Sequence, residues 1–208
     1  LDKENQTLTV ESGIKYGEFC EYLDQNGFAL HNLASLPHIS VAGACSTSTH
    51  GSGINNGSLA TAAVALEMVN GKGELVTLTK EKNREEFLMA IVSLGTLGII
   101  TKVTLKVLPT FKMKQVVYQN MPMAVLEKDF EKIMASGYSV SLFTDWKNKN
   151  VSEVWIKVKS DDVKEFALEF YGGKLATKNL HPIESADPVN CTDQMGVDGT
   201  WYERMPHF

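Results

Sequence analysis

Charge is missing from one long stretch of this chain. Between Gln25 and Leu66 there is no Asp, Glu, Lys or Arg, although 22% of the 208 residues are charged. A solvated loop ordinarily carries charge, so this run is read as backbone packed closely against something large. Other absences narrow the function. With 20 Lys and Arg against 25 Asp and Glu, a net charge of −5 and no basic cluster, the chain lacks a nucleic-acid surface. No apolar run reaches the length of a transmembrane segment, and the opening LDKENQTLTV is not a secretory signal. Cysteine is scarce: Cys20, Cys45 and Cys191 are odd in number and far apart, so neither a disulfide framework nor a CxxC pair is indicated. The expected setting is cytoplasmic. A hydrophobic content of 43% and a mean hydropathy of −0.12 allow a sizeable core, in one large domain or two small ones.

What the neutral run does contain is glycine and hydroxyl. Residues 31–57 read HNLASLPHISVAGACSTSTHGSGINNG, with Gly43, Gly51, Gly53 and Gly57 permitting close approach. Ser46, Thr47, Ser48 and Thr49 offer consecutive hydroxyls, flanked by backbone N–H groups. Such a surface can cradle a phosphate through dipoles rather than formal charge. It is not a P-loop, because the first base after the run is Lys72. Nor is it a Rossmann fingerprint: Gly51, Gly53 and Gly57 are spaced GxGxxxG, and no acidic residue stands at the ribose position. The composition alone equally suits a Gly/Ser-rich loop in an α/β core with no ligand. If the run does wrap a ligand, N–H groups across residues 45–55 should lack protein partners.

The motif Ala34-Ser35-Leu36-Pro37-His38-Ile39-Ser40-Val41-Ala42-Gly43, followed by Thr49-His50-Gly51-Ser52-Gly53, resembles the flavin-binding core of the vanillyl-alcohol-oxidase (PCMH-type) flavoproteins. Within these it is similar to the alditol (xylitol) oxidases and the aldonolactone (gulonolactone, arabinonolactone) oxidases. The similarity continues through Asn56-Gly57-Ser58-Leu59 and Gly95-Thr96-Leu97-Gly98-Ile99-Ile100, and reappears from Trp201 to the end. The resemblance implies FAD as cofactor, a polyol or sugar lactone as substrate and oxygen as acceptor. It implies that Ser46, Thr47, Ser48 and Thr49 with Gly43 and Gly51 meet the FAD pyrophosphate, and that Gly98 and Ile99 meet its adenine or isoalloxazine edge. Ser35 would face substrate beside the flavin, with a turn-forming serine as the competing reading. It also implies that the phosphate loop and the histidine often bonded to FAD precede Leu1. The charged substrate-facing residues would follow Phe208, so no catalytic residue is assigned here. A cofactor-free remnant and a flavin dehydrogenase are the alternatives.

Because imidazole as a group changes charge near neutral pH, His38 and His50 tempt a role as bases, but a hydrogen-bonded histidine in the flavin pocket is the reading preferred for each. The spacings of His31, His38 and His50 do not match a metal site. Tyr202, Glu203 and Arg204 read as surface residues rather than an acid–base cluster.

The remaining pattern is α+β. A strand over residues 7–11 precedes a helix bearing Tyr16, Phe19, Cys20 and Leu23, closed by Gly27. Residues 64–69 and 75–78 form a hairpin across Asn70-Gly71-Lys72-Gly73. Asn83 and Glu86 spell a capping box for a helix over 84–93. A strand over 99–108 ends at Pro109, which is taken as a domain boundary. Beyond it come a strand over 113–118 and a helix opened by Pro122 that carries Val125, Leu126, Phe130, Ile133 and Met134. A hairpin of 138–146 and 151–158 turns at residues 147–150, and residues 172–200 read as loop. In the terms of the resemblance, residues 1–110 are the C-terminal subdomain of a FAD-binding domain and 111–208 part of a substrate domain.

Overall fold

A computed structural model of the chain describes every residue except Asn148 and Lys164. Helix and sheet form two compact units: Leu1–Gly51 with Gly57–Thr110, and Ser52–Asn56 with Phe111–Phe208. The chain thus leaves the first unit at Ser52, contributes a short segment to the second, and returns at Gly57.

The first unit runs β1 (Thr7–Glu11), α1 (Tyr16–Gln25), β2 (Phe28–Ala29), α2 (Val41–Ser46), a 3-10 turn (Leu59–Ala62), β3 (Ala63–Asn70), β4 (Leu75–Thr79), α3 (Arg84–Ile91), β5 (Gly98–Lys106) and β6 (Leu108–Pro109). Its main sheet is antiparallel in the order β1-β5-β3-β4. One face buries Leu8, Val10, Leu66, Val103 and Leu105. The other carries polar cross-strand pairs: Thr9 with Thr104 (2.9 Å between hydroxyls), and Lys102 with Glu67 (3.2 Å). This is the alternation expected of a sheet with one wet face. α1 buries Tyr16, Phe19, Cys20 and Leu23, and Gly27 takes φ +85° just beyond its end. Asn70 Oδ1 accepts the amides of Lys72 (2.9 Å) and Glu74 (3.1 Å), which shapes the β3–β4 turn. Two local expectations fail. Asn83 does not cap α3; its side chain accepts Thr79 N at 3.4 Å instead, so no Asn83–Glu86 box forms. Pro109 does not simply end β5. It stands in β6 opposite Phe28, at an edge position where its missing donor costs nothing.

The second unit runs β7 (Lys112–Pro122), α4 (Met123–Met134), β8 (Ser139–Phe143), β9 (Asn150–Lys159), β10 (Glu169–Phe170), β11 (Gly173–Leu175), β12 (Gly199–Thr200) and α5 (Trp201–Arg204). Its antiparallel sheet has the order β10-β11-β7-β9-β8, and β12 also pairs with β7. The stretch expected to be loop therefore supplies β11 and β12. The 147–150 turn includes Asn148 and so lies outside the described residues. On one face, Val116, Tyr118, Val140, Val154, Ile156 and Val158 pack with Ile133 of α4. Of the apolar residues expected on this helix only Ile133 is fully buried, and Phe130 is 53% exposed. The opposite face is covered as well and mixes the apolar cluster of Val117, Trp155 and Ala176 with the buried polar side chains of Gln115, Ser139, Glu153 and Lys157. Lys157 Nζ donates to the carbonyls of Met205 and Pro206 (2.8 Å to the latter). Burial holds this amine well below the ordinary lysine range.

Two measurements follow from this packing. Leu23 is completely buried on α1, so Leu23→Ala should lower stability by about 2–5 kcal/mol, read by urea unfolding. The second concerns His207, which burial, and then the nearby Lys157, holds down to about 3 from an ordinary value of 6.5. Below pH 6.5 the unfolded chain takes up a proton that the folded chain refuses. Stability is therefore full above that pH and falls as the pH drops toward the folded value. Trp146, Trp155 and Trp201 all lie in the second unit, so tryptophan fluorescence reports its unfolding. From pH 6.5 to 5.5 the wild type should lose up to about 1.4 kcal/mol more than His207→Gln. Equal losses would show that His207 already titrates normally.

Candidate functional site

The uncharged run folds as lengths of backbone held against one another. Its first length lies along the turn before α1: Gly17 N donates to Pro37 O (2.8 Å), Tyr16 N to Ile39 O (3.1 Å) and Val41 N to Ile14 O (2.9 Å). α2 then buries Val41, Ala44 and Cys45, with Cys45 Sγ 3.8 Å from the Tyr16 hydroxyl. Gly43 and Thr47 stay on the exposed side. A side chain at Gly43 would meet Ser40 Oγ at 2.8 Å. Burial pushes the Cys45 thiol up to about 11, so it stays protonated and is no nucleophile.

The hydroxyl run sits at the C-terminal end of α2, and there its amides are already used. Thr47 N donates to Gly43 O (3.2 Å), Ser48 N to Cys45 O (3.0 Å) and Thr49 N to Ala44 O (2.9 Å). Thr47 Oγ1 donates to Gly43 O (3.0 Å) and pairs with Thr49 Oγ1 at 3.0 Å. These bonds satisfy the last carbonyls of the helix, an end that is electrically negative. The free N–H groups expected around residues 46–49 are displaced along the chain. Among the described residues, the amides of His50, Gly51, Gly53, Ile54 and Asn55 make no hydrogen bond to protein. Ser48 is exposed, with φ +53°.

Gly51 joins this end of the run to its beginning. A methyl group there would strike the Leu33 carbonyl and fall 2.6 Å from Asn32 Oδ1. Asn32 and Leu33 are buried, and Ser35, two residues on, is exposed together with Leu36 and His38. His31 Nε2 lies 3.3 Å from Gly57 O and 3.4 Å from Thr61 Oγ1, closing the base of the run. Burial lowers its pKa, so His31 is a neutral clamp. His50 Nδ1 is 2.9 Å from Gly51 O.

The glycine turn before β5 meets the same helix end, since Leu94 N donates to Ser46 O at 3.3 Å. Gly98 has φ +151°, and a Cβ there would collide with Val69 O. Ile99 is 74% exposed, Leu94 71% and Leu97 50%, which leaves a bare apolar rim. The helix expected over 84–93 stops at Ile91, so Leu94 lies beyond its buried face, and Leu97 of the Gly95–Ile100 motif is exposed as well. A cavity of about 320 Å³ opens beside Leu97, lined also by Met68, Val76, Leu78 and Met89. It holds no cluster of titratable groups.

The structure thus brings Ser46, Thr47, Ser48 and Thr49 together with the Gly98–Ile99 turn, and Gly51 together with the segment leading to Ser35. His38 and Gly43 are exposed on the length that precedes them. No group of metal-binding side chains occurs among the described residues. Tyr202, Glu203 and Arg204 lie on α5, where Arg204 Nε donates to Val197 O at 3.2 Å. Exposed hydroxyls, unengaged amides, an apolar rim and the absence of formal charge fit a large neutral ring system carrying a diphosphate. FAD meets that description.

A family model described as a FAD binding domain matches residues 1–79. An alditol oxidase from a Streptomyces species is 42% identical over 208 residues, which is all of this chain and 48% of that protein. A D-arabinono-1,4-lactone oxidase from Kluyveromyces lactis is 45% identical over 107 residues, covering 51% of this chain and 20% of that one. The L-gulonolactone oxidase of Bos taurus is 33% identical over 138 residues, 66% of this chain and 31% of the relative. The chain therefore spans about half the length of the first of these relatives and less of the others. Among solved structures, a cholesterol oxidase variant from Brevibacterium sterolicum aligns with a TM-score of 0.65 at 19% identity, over 76% of this chain and 33% of that one. That likeness shows the fold alone. The flavin-domain match over residues 1–79 and the relative that aligns along all of this chain identify a FAD-binding domain of the PCMH-type fold, similar in sequence to the alditol and aldonolactone oxidases.

Proposed function

We propose that the protein oxidises the CH–OH group of a polyol or sugar lactone, with FAD as cofactor and oxygen as acceptor, in the cytoplasm. The observation that carries this reading is the 42% identity with an alditol oxidase along the whole of this chain, together with an uncharged run whose hydroxyls and unengaged amides can meet a diphosphate through dipoles. In this reading residues 1–110 are the C-terminal subdomain of the FAD-binding domain and residues 111–208 part of the substrate domain. The activity belongs to a protein of the relatives' length. The 208-residue chain by itself is expected to hold FAD weakly and to turn nothing over.

FAD, when bound, supplies the acceptor for the hydride of the substrate carbinol, and oxygen carries the electrons away as peroxide. The chain's own residues bind and orient. The exposed Ser48 hydroxyl and the amides of His50 and Gly51 are donors for the diphosphate, with Ser46, Thr47 and Thr49 shaping the surface they stand on. Gly43, Gly51 and Gly98 keep the backbone free of side chains at close range. Ile99, with Leu94 and Leu97, offers apolar contact that excludes water from the ring system. His38 lies at the rim, and Ser35 presents its hydroxyl to substrate.

Ser48→Gly deletes the hydroxyl while retaining a residue suited to positive φ, so stability should not fall. FAD binding, followed by flavin fluorescence, should weaken by up to about tenfold, the worth of one hydrogen bond. Ile99→Asp places a charge on the apolar rim and should remove binding altogether. Unchanged affinity in both variants would contradict the site. At full length, peroxide release from xylitol, sorbitol or gulonolactone supports the oxidase, whereas dye reduction without peroxide would make it a dehydrogenase.

A further inference from the structure

The segment Ser52–Asn56 is the part of the uncharged run that belongs to the second unit. Polar groups hold it there. Ser52 Oγ bonds Ser139 Oγ and, at 3.0 Å, Ser141 Oγ. These two serines stand on one face of β8, the edge strand of the sheet. Ser141 Oγ is in turn 3.1 Å from His207 Nε2. At the far end of the segment, Asn56 Nδ2 donates to Tyr138 O (3.1 Å) and to Ser52 O (3.0 Å). Gly53 has φ +113°, and a side chain there would collide with Tyr138 O. Its one large apolar side chain, Ile54, is 57% exposed, and Asn55 is exposed as well.

We infer that Ser52, Ser139, Ser141 and His207 form a latch that fixes the backbone immediately after Gly51 and so positions the loop that meets the cofactor. The inference rests on the reading of residues 46–51 as cofactor contacts, and it adds four positioning residues that are not among those contacts. Gly51 and Ser52 share a peptide bond, so freedom at Ser52 is passed to the amides of His50 and Gly51. An unpinned loop samples many conformations, and binding must then select among them, which lowers apparent affinity.

The test uses amide hydrogen exchange and FAD titration on the whole chain. Ser141→Ala should raise exchange across residues 48–56 by about tenfold or more, because local opening no longer breaks the latch. It should also weaken FAD binding several-fold. Ser141→Thr keeps the hydroxyl and should restore both. Val154→Ala loosens the opposite, apolar face of the same sheet without touching the latch. It should leave exchange at residues 48–51 and FAD affinity near wild type. Unchanged exchange at 48–51 in Ser141→Ala, or an equal effect from Val154→Ala, would overturn the latch. A wild-type chain that binds no FAD would overturn the reading of the site instead, while exchange in the cofactor-free chain would still decide the latch.

Discussion

Gly51 approaches the Leu33 carbonyl and the Asn32 side chain so closely that no methyl group fits between them. The rest of the candidate site depends on that approach. It sets the backbone that leads to Ser35 against the end of the hydroxyl run, and the His31–Gly57 contact closes the same loop at its base. Where the backbone is packed this tightly, around Asn32, Leu33 and Gly51, an unpaired buried charge would be costly. That accounts for the lack of Asp, Glu, Lys and Arg at the buried positions of the run; its exposed positions carry hydroxyls, glycines and apolar side chains instead. A neutral, closely packed backbone is also what a large uncharged ring system requires of its host.

Much of the architecture was legible because it follows from periodicity. Tyr16, Phe19, Cys20 and Leu23 recur at helical spacing and are buried on α1; Val103 and Leu105 alternate with Lys102 and Lys106 on β5. What could not be read were choices between equivalent partners. Asn83 has both an amide above it and a strand amide beside it, and the strand wins. The amides of Thr47, Ser48 and Thr49 looked free, but whether a short helix ends just before them is decided by tertiary burial of Val41, Ala44 and Cys45. β11 and β12 are too short for a pattern to show, and exist because β7 offers them partners. The exposure of Leu94, Leu97 and Ile99 was hidden for the same reason: apolar sequence looks like core until the fold leaves it bare.

The site's chemistry is that of placement rather than titration. Cys45 is held protonated and His31 neutral, both by burial, so neither offers an ionised group to a reaction. This division of labour suits an oxidoreductase whose cofactor carries the electron chemistry. The protein's part is to present donors and apolar surface already in position, so that little ordering entropy remains to be lost on binding.

The central claim, that the uncharged run is the flavin surface, is tested most directly by following backbone amide resonances of the chain as FAD is added. The account predicts that the largest shifts fall at Ser48, His50, Gly51 and Ile99, with the exposed wet face of the first sheet, around Thr9 and Thr104, unmoved. Shifts centred on that wet face, or none at saturating FAD, would contradict it.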